Sequence, residues 1–154
     1  MLSLKDDIFF LRRAYEEAVK SYQSNEVPIG AVLVKNNQII GKGFNSRITE
    51  NNPINHAEIV AIKDASRNIN NWRLDDTTIY ITLEPCLMCL GAILQSRIKR
   101  IVYCCKDFKG GAFSVCGNKI KNFPFNIEVD YIPLPECLNI LKKFFMEKRK
   151  KKRF

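Results

Sequence analysis

Histidine is almost missing from this chain: one of its 154 residues, His56, carries an imidazole. No second histidine is available to complete a closed Cys2His2 metal site. Long apolar runs are missing too. None approaches the roughly 18 residues needed to span a bilayer, so no membrane partner is expected. The start, Met1-Leu-Ser-Leu-Lys-Asp-Asp7, has acids where a signal peptide would have basic residues. The expected location is therefore the cytoplasm. There the six cysteines (86, 89, 104, 105, 116, 137) should stay mostly reduced, and close cysteine pairs favour a metal over a disulfide. Repeats, linkers and low-complexity segments are also lacking, apart from a basic C-terminal run.

What is present fits one soluble domain, with 46% hydrophobic and 27% charged residues. The net charge of +9 is unevenly placed. Residues 142–154 hold eight Lys/Arg against Glu147 alone, so the first 141 residues are close to neutral. This suggests a body, 1–147, and a basic tail, 148–154, which is either a solvated end or an attachment to a polyanion.

Ser3, with Asp6 three residues on, is a cap for a first helix of apolar period 3.6 ending near Ser24. Runs 29–34 and 38–44 around Asn36-Asn37 read as a hairpin. A polar loop, 45–54, leads to a helix over 56–68, and 77–83 is a third strand. Pro85 suits the first turn of a helix reaching about Ser96. A strand at 100–104, a loop at 106–122 and a strand at 127–131 follow. Pro135 then opens a last helix. The alternation predicts an α/β fold: a single-domain three-layer α/β/α sandwich around a mixed five-stranded sheet.

His56 stands in His56-Ala-Glu58, and thirty residues later comes Pro85-Cys86-Leu-Met-Cys89. Cysteines three apart at a helix start share a face, and the helix N-terminus favours the thiolates that a metal requires. Two thiolates and an imidazole suit Zn2+ and leave a fourth position for water, the arrangement of a catalytic site. Glu58, two residues past the histidine, is placed to move that water's protons. The other four cysteines show no paired spacing; Cys104 and Cys105, ending a strand, read as packing residues.

This pattern resembles the H-x-E…P-C-x-x-C signature of zinc nucleobase deaminases. From about residue 5 to 147 the chain resembles the bacterial tRNA-specific adenosine deaminases (the TadA family). The likeness lies in Glu26-Val-Pro-Ile-Gly-Ala-Val-Leu-Val34, Gly43-Phe-Asn45, Pro53-Ile-Asn-His-Ala-Glu-Ile59, Thr82-Leu-Glu-Pro-Cys-Leu-Met-Cys-Leu-Gly-Ala92 and Ser96-Arg-Ile98. It implies a cytidine-deaminase-like fold and a homodimer that turns adenosine into inosine at the wobble position of a tRNA anticodon. It also implies His56, Cys86 and Cys89 as zinc ligands and Glu58 as proton shuttle. Asn45 would hydrogen-bond the flipped nucleotide, with Val27, Pro28 and Ile29 as the apolar wall of the base pocket. Asp107 would lie beside the flanking nucleotides, and Phe144-Phe145 would belong to a C-terminal helix against the anticodon loop. One of those two rings is expected in the core. The stretch 104–114 departs from the family's Gly-Ala-Arg and Gly-Ala-Ala-Gly-Ser, so the resemblance does not carry over the shape of that loop.

Three other readings make different demands. A deaminase of a free base or nucleoside, of guanine or cytosine type, has no use for the basic tail. A non-catalytic RNA-binding module with structural zinc needs a fourth protein ligand and no Glu58. A partner subunit of a hetero-oligomeric deaminase tends to lose the glutamate that this chain keeps.

Overall fold

The computed structural model describes residues 2–152. Helix α1 (Leu4–Gln23) starts at the expected cap: Ser3 Oγ accepts from Asp6 N while Asp6 reaches back to the Ser3 backbone. Strands β1 (Gly30–Lys35) and β2 (Gln38–Phe44) pair antiparallel across Asn36-Asn37. Both asparagines have positive φ (49° and 62°), the backbone that a two-residue hairpin turn demands. Helix α2 (Ala57–Asn68), β3 (Thr77–Ile81), α3 (Leu87–Gln95) and β4 (Arg100–Tyr103) follow. The strand order is β2-β1-β3-β4-β5, with β3, β4 and β5 (Glu128–Tyr131) mutually parallel and β1 antiparallel to both its neighbours.

Side-chain alternation explains the three layers. Ala31 and Leu33 of β1, Ile79 and Ile81 of β3, and Ile101 and Tyr103 of β4 point to one face, under α2 and α3. Val32, Val34, Tyr80 and Val102 point to the other, under α1 and α5 (Pro135–Lys152). Two covered faces account for the near-continuous apolar runs in these strands. Asp7 crosses between layers: it is buried, takes two hydrogen bonds from the Arg100 guanidinium (2.7 and 2.8 Å), and accepts a third from Tyr80 Oη. Arg100 also donates to Asp130, so α1 is tied to β3, β4 and β5 at once.

Three sequence expectations need correction. The 106–122 stretch is not all loop; it contains helix α4 (Ala112–Cys116) and a 3-10 turn over Gly117–Asn122, with Ala112 and Phe113 packing on the α2/α3 face. Pro85 is not in the first turn of α3. It precedes the N-cap, Cys86, whose extended backbone pairs with Gly111 instead of entering the helix. The basic residues 148–152 are no separate tail but the last turns of α5; Arg153 and Phe154 lie outside the described residues. No helix among the described residues is long and apolar enough to cross a membrane.

The position of α2 depends on small residues. Ala57, Ala61 and Ala65, spaced by four, are fully buried over β2, and a Cβ on Gly43 would collide with the α2 backbone at Ala57 and Ala61. Gly43→Ala should therefore push α2 outward and cost about 1–3 kcal/mol, as overpacking does. A lower urea midpoint at unchanged slope would show it.

Candidate active site

Two helix starts meet at the site. His56 is the N-cap of α2 and Cys86 the N-cap of α3, neither making a side-chain cap bond to its own helix. Both side chains are thus available to face each other, and Cys89 joins them from the first turn of α3. His56 Nδ1 lies 3.6 Å from Cys86 Sγ and 3.6 Å from Cys89 Sγ. With Zn–S near 2.3 Å and Zn–N near 2.0–2.1 Å, tetrahedral sulfur and nitrogen ligands stand roughly 3.6 Å apart. The three residues present therefore fit a zinc ion in both donor chemistry and spacing. They are the only metal-capable cluster among the described residues, and no fourth protein ligand joins them.

The four neighbouring groups shift one another's protonation unequally. Hydrogen bonds from the Cys89 thiol and from His56 pull the Cys86 thiol down to about 4, against its burial. Cys89 is pushed up, first by the neighbouring Cys86 sulfur and then by burial and Glu58. His56 is raised chiefly by its hydrogen bond to Cys86. Glu58, in the first turn of α2, is buried and lies within hydrogen-bonding reach of Cys89. Burial raises its carboxyl to about 7, opposed by Cys89 and His56. A carboxyl poised near neutrality can both take and return a proton.

Asn45 follows the end of β2, against the 27–29 segment. Its backbone N donates to Ile29 O (3.0 Å) and its Nδ2 to Val27 O (3.2 Å). That second bond orients the amide and leaves Oδ1 buried without a partner. Such an atom costs free energy unless a ligand supplies the donor. Pro28 is buried and Val27 and Ile29 are half-buried, so the expected wall and Asn45 form one unit. Ser46 N donates to Asn55 O, linking Asn45 to the chain entering His56. Asp107 stands apart from this unit, on the loop before α4, where its Oδ1 accepts from Lys109 N and Gly110 N.

The aromatic pair separates. Phe144 is buried, with its ring edge-on to Tyr22 at 6.5 Å, and so belongs to the core and is not a contact for RNA. Phe145 is 48% exposed and remains available.

Two buried carboxylates carry roles that motif reading missed. Glu26 accepts from Ile48 N, Thr49 N and Thr49 Oγ1, holding the loop between Asn45 and His56. Glu84 accepts from Asp107 N, Ser114 N and Ser114 Oγ, holding the loop before α4. A carboxylate inside Glu26-Val-Pro-Ile-Gly and another inside Leu-Glu84-Pro-Cys were the available signals.

The cytidine and deoxycytidylate deaminase zinc-binding region matches residues 4–105. The chain belongs to this deaminase family. The tRNA-specific adenosine deaminase of Streptococcus pyogenes (serotype M18) is 40% identical to this deaminase, over 98% of this chain and 97% of its own. That of Bacillus subtilis (strain 168) is also 40% identical, over 97% and 95%. Among solved structures, one from a study of A-to-I editing by tRNA:A34 deaminases at the wobble position of transfer RNA superposes with TM-score 0.75. It is 36% identical and matches 81% of this chain and 98% of its own. The guanine deaminase of Bacillus subtilis has TM-score 0.63 and 30% identity over 93% and 94%. The fold, the deaminase family and the zinc-ligating set thus agree with the sequence reading.

Cys86→Ser and Cys89→Ser should each abolish stoichiometric zinc binding and lower stability, because metal binding and folding are coupled at such sites. Elemental analysis of the purified variants checks this; full zinc in the double variant would remove both residues from the site.

Proposed function

We propose that the deaminase hydrolyses adenosine to inosine at the wobble position of a tRNA anticodon, in the cytoplasm and as a homodimer. The observation that carries this reading is the near-full-length likeness to tRNA-specific adenosine deaminases, which reaches past the zinc motifs into the basic α5.

His56, Cys86 and Cys89 hold a zinc ion that, when bound, lowers the pKa of a water towards neutrality. Glu58 takes a proton from the attacking water as its oxygen bonds to C6 and delivers that proton to N1. It then passes the remaining hydroxyl proton to the departing amine, so that adenosine and water become inosine and ammonia. Asn45 Oδ1 accepts from an N–H or O–H of the extruded nucleotide, between Val27, Pro28 and Ile29. Asp107 and Phe145 face the neighbouring nucleotides. Extrusion is cheap in an anticodon loop, where bases are already unpaired. For the homodimer the support is α3. All of its residues are uncharged and all but Gln95 largely apolar, yet Leu87 (56%) and Met88 (39%) are exposed, and Gly91 has open space where a Cβ would be.

A second reading, deamination of free guanine, has the guanine deaminase likeness in its favour. Total tRNA incubated with the enzyme and sequenced for adenosine read as guanosine at anticodon positions decides between them. In that assay Glu58→Gln should keep zinc and tRNA binding and lose about 10²–10⁴-fold in turnover. Wild-type turnover in the variant would instead favour a structural zinc.

Deleting residues 148–154 should weaken tRNA binding at low salt. Each phosphate that the shortened helix no longer neutralises should flatten the slope of log affinity against log salt by about 0.7–0.9, for a total change of roughly two to four. The single-turnover rate at saturating tRNA should hardly move. An unchanged slope would reduce the basic end of α5 to a solvated terminus.

A further inference from the structure

The loop between β4 and α4 is tied down unusually well for a surface segment. Glu84 N donates to Cys105 O (2.8 Å), Gly111 N to Asp107 O (2.9 Å) and Ala112 N to Pro85 O (2.8 Å). Asp107 N and Ser114 both donate to the buried Glu84 carboxylate, and Asp107 itself accepts from two amides of its own loop. Gly111 passes so near Glu84 that a Cβ there would collide with the carboxylate, and its backbone pairs with Cys86, a zinc ligand. Three residues before that pairing stands Phe108, 79% exposed, more than any other large apolar side chain among the described residues.

An aromatic ring carries about 150–250 Å² that water disfavours, and a pliable loop would fold it back. The hydrogen bonds around Asp107 prevent this. Its neighbours in the chain, Lys106, Asp107, Lys109 and Gly110, supply charge and bare backbone, unlike the apolar centre of a protein interface or a lipid-facing surface. An exposed ring flanked in the chain by two cations matches a nucleobase with its phosphates.

We propose that Phe108 is a stacking platform for a base flanking the reacting adenosine, held beside the metal ligands by Glu84. The proposal rests on the tRNA reading and adds a subsite to it. Lys106, its Nζ 4.8 Å above the Tyr131 ring, adds a positive charge two residues before Phe108 in the same loop.

The test uses an anticodon stem-loop hairpin and its two derivatives that lack the base immediately 5′ or 3′ of the target adenosine. On the intact hairpin, F108A should raise KM about 5- to 100-fold, the range of one base–aromatic stack, with kcat nearly unchanged. F108W should restore KM. In a W72F background, the indole introduced by F108W becomes the only one in the chain, and its fluorescence should be quenched on hairpin binding. On one of the two abasic hairpins the difference between wild type and F108A should vanish. Equal KM values for F108A and wild type on the intact hairpin would overturn the proposal, as would an F108A defect that persists on both abasic hairpins. So would dissociation of a wild-type oligomer by F108A in sedimentation equilibrium, which would assign the ring to an interface between copies. If wild type edits the hairpin and F108A is indistinguishable from it, the stacking role alone falls. If wild type leaves RNA unreacted and deaminates guanine, the tRNA reading falls and takes the stacking role with it.

Discussion

Two helix N-termini converge on a point, and the rest of the site depends on that convergence. His56 and Cys86 occupy N-cap positions, where a side chain ordinarily turns back to satisfy its own helix's amides. Here they turn towards each other. The positive ends of two helix dipoles then face the sulfur of Cys86, which favours the thiolate that a cation requires. The meeting is possible only because α2 lies close on the sheet, through an alanine row set over Gly43, while Cys86 stays extended long enough to pair with Gly111.

Buried acids divide into two kinds around this point. Asp7, Glu26 and Glu84 are each surrounded by donors, respectively a guanidinium and a phenol, two amides and a hydroxyl, and two amides and a hydroxyl. With their oxygens satisfied by these donors, they act as fixed anchors for α1 and for the two loops flanking the site. Glu58 is buried without a comparable set of donors, and its carboxyl rises to about 7. Burial alone does not distinguish these four carboxylates; the supply of donors does.

The C-terminal helix shows a similar division along one element. Its first half is held in the core by Cys137, Ile140, Leu141 and Phe144, and Glu147 accepts from Tyr22 Oη (2.7 Å). Beyond that anchor the helix continues as an almost purely basic surface. A charged run that reads in isolation as a frayed end is instead a directed extension of a packed helix, which gives its charges a defined place relative to the site.

Much of this was readable from residues near one another in the chain. The Ser3–Asp6 cap, the Asn36-Asn37 turn, the apolar strand runs, the His56–Glu58 pair and the Cys86–Cys89 spacing are local patterns, and local backbone geometry translates them directly into structure. They were enough to specify the layered α/β fold and the zinc set. What spacing could not supply depends on segments distant in the chain. Glu26 meets residues 48 and 49, Glu84 meets 107 and 114, and Asn45 Oδ1 is orphaned only because Val27 claims the other half of its amide. Phe144 and Phe145 are the same residue type at adjacent positions, and only the packing of α5 on α1 buries one and exposes the other. Local order along the chain thus carried the chemistry of the site. The packed fold selected which side chains hold the loops and which stay exposed, because burial and hydrogen-bond partnership belong to the assembled layers and not to any one segment.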